Sequence, residues 1–400
     1  MASASTLIDR VEVHEFAFSV PDLGLEQAAA GVGNMAYVAG SSLAARRYAV
    51  RLRCDDGATG SYVSHWVGTP SALAQTVMLA PMLIGRDPDQ RELIWDDMKR
   101  ELRAYDHMGH GVLDIALWDL AGQRRGASVS RLLGGFRKRL PTYASTYHGQ
   151  EAAGGLDSPQ AFADFAADCQ AAGFAGFKIH GWNNGDVDRE VENLRGVRAR
   201  VGDGWRLMLD PACQLRTWSD ALAVGRVCDE IGAFWYEDPY RDAATSIEGH
   251  RRLRERLNTP LLVAEHIRGI EQKAAFLVGG GCDMAHLDPE YDMGITGALK
   301  IAHVVEALGL DVQLHACGPA HRALNSALRH THMYELALVG PGMPNVVPPV
   351  YDEREYSDSL EAVGDDGCVS VPDGPGLGVA YDWDFIVANR VALHEFGAAE

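Results

Sequence analysis

The chain is short of paired cysteines, long apolar runs and positive charge, and each shortage closes off a class of function. Its seven cysteines, Cys54, Cys169, Cys213, Cys228, Cys282, Cys317 and Cys368, are scattered singly, with no CxxC pair. That pattern argues against a disulfide framework or a zinc knuckle and for a reducing compartment. No run reaches the ~18 to 20 apolar residues a membrane span needs, so no membrane partner is expected. The opening MASASTLIDRVEVHEF lacks a basic start followed by an apolar core, so the expected location is cytoplasmic. Lys and Arg number 36 against 55 Asp and Glu, a net charge of -19 that works against binding nucleic acid or an anionic membrane. The one basic cluster, GGFRKRLP at 134–141, is short and reads as a solvated turn. An anionic substrate must therefore be captured by something locally positive, a metal or a few cations, inside a negative protein.

What is present is enough for a full core: 400 residues, 47% of them hydrophobic, which suits one large domain and a smaller one. The organisation changes near residue 140. Before it, RRYAVRLRCDDGATGSYVS (46–64) predicts an antiparallel hairpin with a DDG turn, and DPDQRELIWDDMKRELRAY and GHGVLDIALWDLAGQRRG carry helical periodicity. After it, the short apolar runs LPTYAST, GFAGFKIH, WRLMLD, GAFWYED, PLLVAEH, DMAHLD, LDVQLH and HMYELAL alternate with amphipathic stretches. Strand and helix repeated eight times predict a closed parallel barrel of the TIM type. An open doubly wound sheet also alternates, but it usually shows a glycine fingerprint after its first strand.

The strand ends carry the chemistry. Lys178 and His180 end the second strand and share a face, because side chains alternate along a strand. Asp210, Glu237, Glu265, Asp288 and His315 end the next five strands in turn, and Glu335 lies in the eighth. In such a barrel these ends converge on one mouth, where catalytic groups sit. Each residue alone has a plainer reading: a carboxylate there often caps the next helix, a lysine snorkels to solvent, a histidine bonds a loop. Three carboxylates at consecutive strand ends are different, because they repel unless a cation lies between them. An all-oxygen set of that kind suits Mg²⁺.

Taken in order, these segments resemble the enolase superfamily and, within it, the mandelate racemase-like subgroup (mandelate racemase/muconate lactonizing enzyme). GHGVLDIALWDLAGQRRGASVSRLLGG (109–135) resembles the helix leading into the family's barrel. GFAGFKIH resembles its Lys-x-Lys strand, and MLDPACQ, WYEDP and VAEHIRG resemble its three metal-ligand segments. LDPEYDMGITGALKIAHVVEALGLDVQLHA resembles its Asp and His catalytic pair, and PDGPGLGVAYD (372–382) its terminal segment. The fold implied is α/β, a modified TIM barrel (β/α)7β with an α+β capping domain. The resemblance divides the chain into 1–138, the N-terminal α+β capping domain; 139–355, the barrel; and 356–400, a C-terminal segment returning to the cap.

Carried over residue by residue, the resemblance makes Asp210, Glu237 and Glu265 the Mg²⁺ ligands and His315 the base, held and polarised by Asp288. Lys178 would steady the substrate carboxylate, and Glu335 would hydrogen-bond it. His286 shares the Asp288 face and reads as core or as support behind the metal ligands. The departure is His180, which stands where the family has its second lysine. A neighbouring ammonium disfavours imidazolium, so Lys178 should hold His180 neutral, an acid/base facing His315 across the substrate.

The implied activity is Mg²⁺-dependent removal of the proton α to a carboxylate, giving an enediolate. The favoured outcome is dehydration of a sugar acid or other hydroxy acid, by a hydro-lyase of the acid-sugar dehydratase type. The alternatives are a racemase or epimerase of a 2-hydroxy acid, which two opposed bases would permit, and a catalytically silent homologue. A metal-dependent hydrolase would want His-x-His on the first barrel strand, and PTYASTYHG offers only His148. A lactonising or dipeptide-epimerising branch would place a lysine where Asp288 stands. The expected partners are a small-molecule carboxylate substrate and further copies of the chain. The expected specificity lid is LEQAAAGVGNMAYVAGSS (25–42), and Tyr147 and His148 lie where they could touch substrate, with Trp182 read as packing.

Overall fold

The computed structural model describes residues 6–27, 33–65, 70–182, 184–343 and 345–397. Its first elements are the strands β1 (Ile8–Gln27), β2 (Gly33–Cys54) and β3 (Thr59–Val63). They are antiparallel, and the expected DDG turn joins β2 to β3: Cys54 N–H bonds Ala58 O at 2.9 Å, and Gly57 takes φ +86, where a side chain would strain the backbone. The predicted lid at 25–42 falls partly outside the described residues, at 28–32. Its described parts are extended backbone, with Leu25 paired to Met35 and Leu23 to Tyr37.

From residue 139 the barrel strands follow in the predicted order: β4 (Arg139–Thr146), β5 (Gly176–His180), β6 (Arg206–Asp210), β7 (Tyr236–Glu237), β8 (Leu261–Val263), β9 (Met284–Leu287), β10 (Asp311–Leu314) and β11 (Tyr334–Val339). Their spatial order is β11, β4, β5, β6, β7, β8, β9, β10, with parallel neighbours throughout. The circle closes between β10 and β11 through one parallel bridge, Val312 to Thr331, and a Gln313 Nε2 bond to Met333 O at 2.8 Å. Strands covered on both faces read as continuous apolar runs, which is why they stood out in the sequence.

The intervening helices start where the sequence supplies caps. Ser158 caps Pro159–Ala171, Asp186 caps Val187–Val201, and Thr217 with Asp220 forms a capping box on Trp218–Ile231. Inside the barrel, Tyr143, Met208, Trp235, Leu262, Met284 and Met333 form an apolar floor. Two residues further along their strands, period-2 alternation brings Asp210, Glu237, His286 and Glu335 to the same interior, one level nearer the mouth.

The C-terminal segment runs first along the barrel, where β12 (Cys368–Ser370) pairs antiparallel with β4. It then reaches the first sheet as β13 (Arg390–Gly397), whose order is β13, β1, β2, β3. Side chains from helix His110–Arg125 lock this sheet's layer onto the barrel. Asp114 accepts Thr296 N–H at 2.9 Å and Thr296 Oγ1–H at 2.7 Å, capping barrel helix Gly294–Ala307 from outside it. Gly111 lies so close to the barrel that a Cβ there would fall 2.3 Å from Glu290 O. Glu290 in turn accepts bonds from Tyr62 Oη and His65 N, at 2.6 and 2.7 Å. No helix among the described residues is long and apolar enough to cross a membrane.

Candidate active site

Lys178 is at the centre of the barrel mouth and 1% exposed. Its Nζ lies 2.9 Å from Glu237 Oε1, 2.9 Å from Glu335 Oε1 and 3.4 Å from Asp210 Oδ2. Burial opposes its ammonium, but Glu237 and Glu335 outweigh burial and hold the lysine firmly charged. Residues from strands β5, β6, β7 and β11 are thus joined around one cation, the convergence that the barrel topology dictates.

His180 places Nε2 3.0 Å from Asp210 Oδ2 and Nδ1 2.6 Å from Thr146 O. Both ring nitrogens therefore face acceptors. The Lys178 ammonium expected beside His180 is therefore joined by the Asp210 carboxylate. Asp210 also accepts Ala212 N–H at 2.7 Å, and although burial raises its carboxyl, His180 and Lys178 bring it well below the usual range.

Glu237 is fully buried and accepts from three directions: Lys178, Trp235 Nε1 at 3.0 Å and His286 Nε2 at 2.7 Å. His286 thus stands behind a metal-ligand candidate. Glu265 lies 3.4 Å from His315 Nε2. Burial raises the Glu265 carboxyl, but His315, His266 and His286 more than reverse that. The candidate ligand atoms of Glu237, Glu265 and His286 fall within 4.8 Å of one another, while Asp210 is turned toward Lys178 and His180.

On the other side of the mouth, His315 Nδ1 is 2.8 Å from Asp288 Oδ2, and its ring stacks on Tyr291 with centroids 5.5 Å apart. Asp288 is itself held by Glu290 N–H at 2.7 Å, with His321 Nε2 at 3.4 Å. Burial works against the His315 imidazolium, but Glu265, the Asp288 hydrogen bond and Glu335 outweigh it and lift the ring to about 10. Glu335 accepts Ala316 N–H on its second oxygen.

The neighbouring candidates divide. Trp182 is buried against Phe162, with the Arg189 guanidinium 3.6 Å over its ring, a packing role. Tyr147 is also fully buried. His148 lies against His180, ring centroids 4.9 Å apart, and burial pushes it down to about 3. Sequence reasoning passed over Cys213, Asp238 and His266, although each follows a carboxylate candidate by one to three residues. They lie past the strand ends, where Ala212, Cys213 and Asp238 take φ of 46°, 59° and 27° and strand alternation no longer says where a side chain points.

The comparisons with known proteins agree with this architecture. Residues 161–385 match the family "Enolase C-terminal domain-like", and residues 33–134 match "Mandelate racemase / muconate lactonizing enzyme, N-terminal domain". A D-galactarolactone cycloisomerase from Agrobacterium fabrum is 29% identical over 364 residues, 87% of this chain and 90% of that protein. A D-gluconate dehydratase from Thermoproteus tenax is 26% identical over 82% of this chain and 66% of its own length. The crystal structure of D-glucarate dehydratase from Agrobacterium tumefaciens, complexed with magnesium, superposes with a TM-score of 0.84 at 28% identity, covering 97% of this chain and all of that one. Relatives in this range are acid-sugar dehydratases, cycloisomerases and racemases. With both halves matched and the barrel mouth built as described, the chain belongs to the mandelate racemase/muconate lactonizing enzyme family of the enolase superfamily.

Proposed function

We propose that the protein is a Mg²⁺-dependent enzyme that removes the proton α to the carboxylate of a small hydroxy acid, and that its preferred outcome is dehydration of a sugar acid. The observation that supports this best is the His315–Asp288 pair, a ring fixed through Nδ1 at 2.8 Å with Nε2 left toward the mouth and Glu265. Asp210, Glu237 and Glu265 would hold the metal. The donor set fits: carboxylate oxygens from three consecutive strand ends, each now paired with a side-chain cation whose place a metal ion would take. When bound, Mg²⁺ supplies a Lewis acid that spreads the charge of a carboxylate losing its α-proton.

The remaining work falls to the chain. Glu265 is the charge that most favours the His315 imidazolium, and holding a metal ion would offset that charge and leave the ring available as a base. His315 Nε2 takes the α-proton, and Asp288 stabilises the imidazolium that results. Lys178 donates to the substrate carboxylate as negative charge builds on it, and Glu335 fixes that carboxylate's position. In dehydration, the β C–O bond then breaks, its oxygen leaves as water with a proton from His315 or His180, and the enol left behind rearranges to a 2-keto acid.

A second reading rests on His180. Its strand is nearly across the barrel from that of His315, and reprotonation from there gives the opposite configuration, a racemase or epimerase. The test is a library of sugar acids and 2-hydroxy acids with Mg²⁺ in D₂O, scored for α-proton exchange and for 2-keto acid. Keto acid selects dehydration, and exchange without it selects epimerisation. Absence of both, in protein that binds Mg²⁺, refutes the proposal in favour of a silent homologue.

A further inference from the structure

Three side chains that the proposed reaction does not use form a second tier at the mouth. Cys213 follows Asp210, Asp238 follows Glu237, and His266 follows Glu265, so the same three strand ends supply both tiers. The Cys213 Sγ, an Asp238 carboxylate oxygen and a His266 ring nitrogen all lie within 4.8 Å of one another. His266 Nε2 is 3.6 Å from Asp238 Oδ2, and Cys213 N–H bonds Asp238 O at 2.9 Å, tying two of the loops together.

Asp238 supplies an independent observation. It is 1% exposed, and neither carboxylate oxygen has a hydrogen-bond partner among the described residues. A buried carboxylate without donors is costly and calls for a cation. The other carboxylates of the mouth have cations in contact: Lys178 reaches Asp210, Glu237 and Glu335, and His315 reaches Glu265 and Asp288. Asp238 has only the half-exposed His266 at the edge of contact, and that exposure gives an ion a route in from solvent.

We propose that Cys213, Asp238 and His266 bind a second divalent metal ion, of the thiophilic zinc class, just outside the carboxylate triad. Sulfur, oxygen and nitrogen donors together suit Zn²⁺ or Co²⁺, in tetrahedral geometry with one position left open, and not Mg²⁺, which prefers oxygen. Burial and the surrounding carboxylates push the Cys213 thiol up, so the site holds its proton until an ion arrives. Binding forms the metal–sulfur bond and releases the thiol proton to solvent, so affinity rises with pH. The site is separate from the proposed Mg²⁺ site in ligands and in chemistry.

Co²⁺ is the probe. Added to the full-length protein in saturating Mg²⁺, one equivalent should produce a thiolate-to-cobalt charge-transfer band in the near ultraviolet, which Zn²⁺ then removes. Cys213→Ser should abolish the band, and His266→Ala and Asp238→Asn should each weaken Co²⁺ binding by ~10-fold or more. Circular dichroism and the Mg²⁺-induced rise in melting temperature identify any variant that has misfolded. Co²⁺ binding without a thiolate band, or a band that persists in Cys213→Ser, overturns the proposal. A band in protein that Mg²⁺ does not stabilise upholds this site and removes the Mg²⁺ reading instead.

Discussion

Replacing Lys178 with Met removes the ammonium shared by three carboxylates, and the distances set the size of the loss. Nζ lies 2.9 Å from Glu237, 2.9 Å from Glu335 and 3.4 Å from Asp210. At an effective dielectric constant of ~20, a unit pair ~3 Å apart is worth about 5–6 kcal/mol before desolvation. Against the two shortest contacts stand the several kcal/mol needed to strip water from a buried ammonium. A net cost of ~3–5 kcal/mol at pH 7 follows, the range for removing one partner of a buried charge cluster. Methionine is adaptable and nearly fills the same space, so the deficit is electrostatic rather than a cavity.

The pH dependence carries a sign. Burial alone would raise the Glu335 carboxyl, and Lys178 with His315 more than reverses that. In the wild type, this stabilisation is present above the ordinary carboxylate range and is lost as pH falls through the depressed folded value. Without the lysine, burial dominates, the folded variant holds a proton that the unfolded chain releases, and its stability improves from pH 7 toward pH 5. Urea unfolding followed by tryptophan fluorescence, in EDTA, measures both effects. An unchanged stability at pH 7, or a gap that widens toward pH 5, would refute the reasoning.

His315→Asn should lose turnover by ~10² or more, the scale of a general base, while keeping its fold and its Mg²⁺-dependent thermal shift. His180→Asn should block α-proton exchange from one substrate enantiomer in an epimerase, and only slow turnover, without that asymmetry, in a dehydratase; chiral exchange assays read the difference. Chelation should abolish turnover, and Mg²⁺ at ~100 times its Kd should add about 2.7 kcal/mol of stability, a gain that Glu237→Gln erases in a melting assay. Asp114→Ala leaves the Thr296 N–H without its acceptor and should cost ~1–3 kcal/mol in urea. Because burial pushes Asp114 up to about 7, wild-type stability should fall as pH rises from the ordinary carboxylate range toward that value, a slope that Asp114→Asn removes.

The barrel was legible because its strands are buried on both faces and its helices open on Ser158, Asp186 and Thr217, signals that need only local sequence. Period-2 alternation then sufficed to bring Lys178, Asp210, Glu237 and Glu335 together, and to put His286 behind them. The sequence did not reveal which cation each carboxylate takes. That choice depends on side-chain conformations, as when Asp210 turns to His180 and leaves Glu237 and Glu265 grouped with His286. Nothing in the sequence marks Asp114 out from its helix, because its partner Thr296 is 182 residues away. Cys213, Asp238 and His266 were missed for a local reason: left-handed backbone past the strand ends carries no periodic signal.

The single bridge that closes the barrel between β10 and β11 has a dynamic consequence. Among the described residues no strand ladder joins β10 to β11, and this seam separates the strand leading to His315 from the strand carrying Glu335. One of its few stitches is the bond from Ala316 N–H to Glu335 itself. A substrate carboxylate that recruits Glu335 therefore competes with the barrel's own closure, and amide hydrogen exchange at Ala316 registers which of the two holds it.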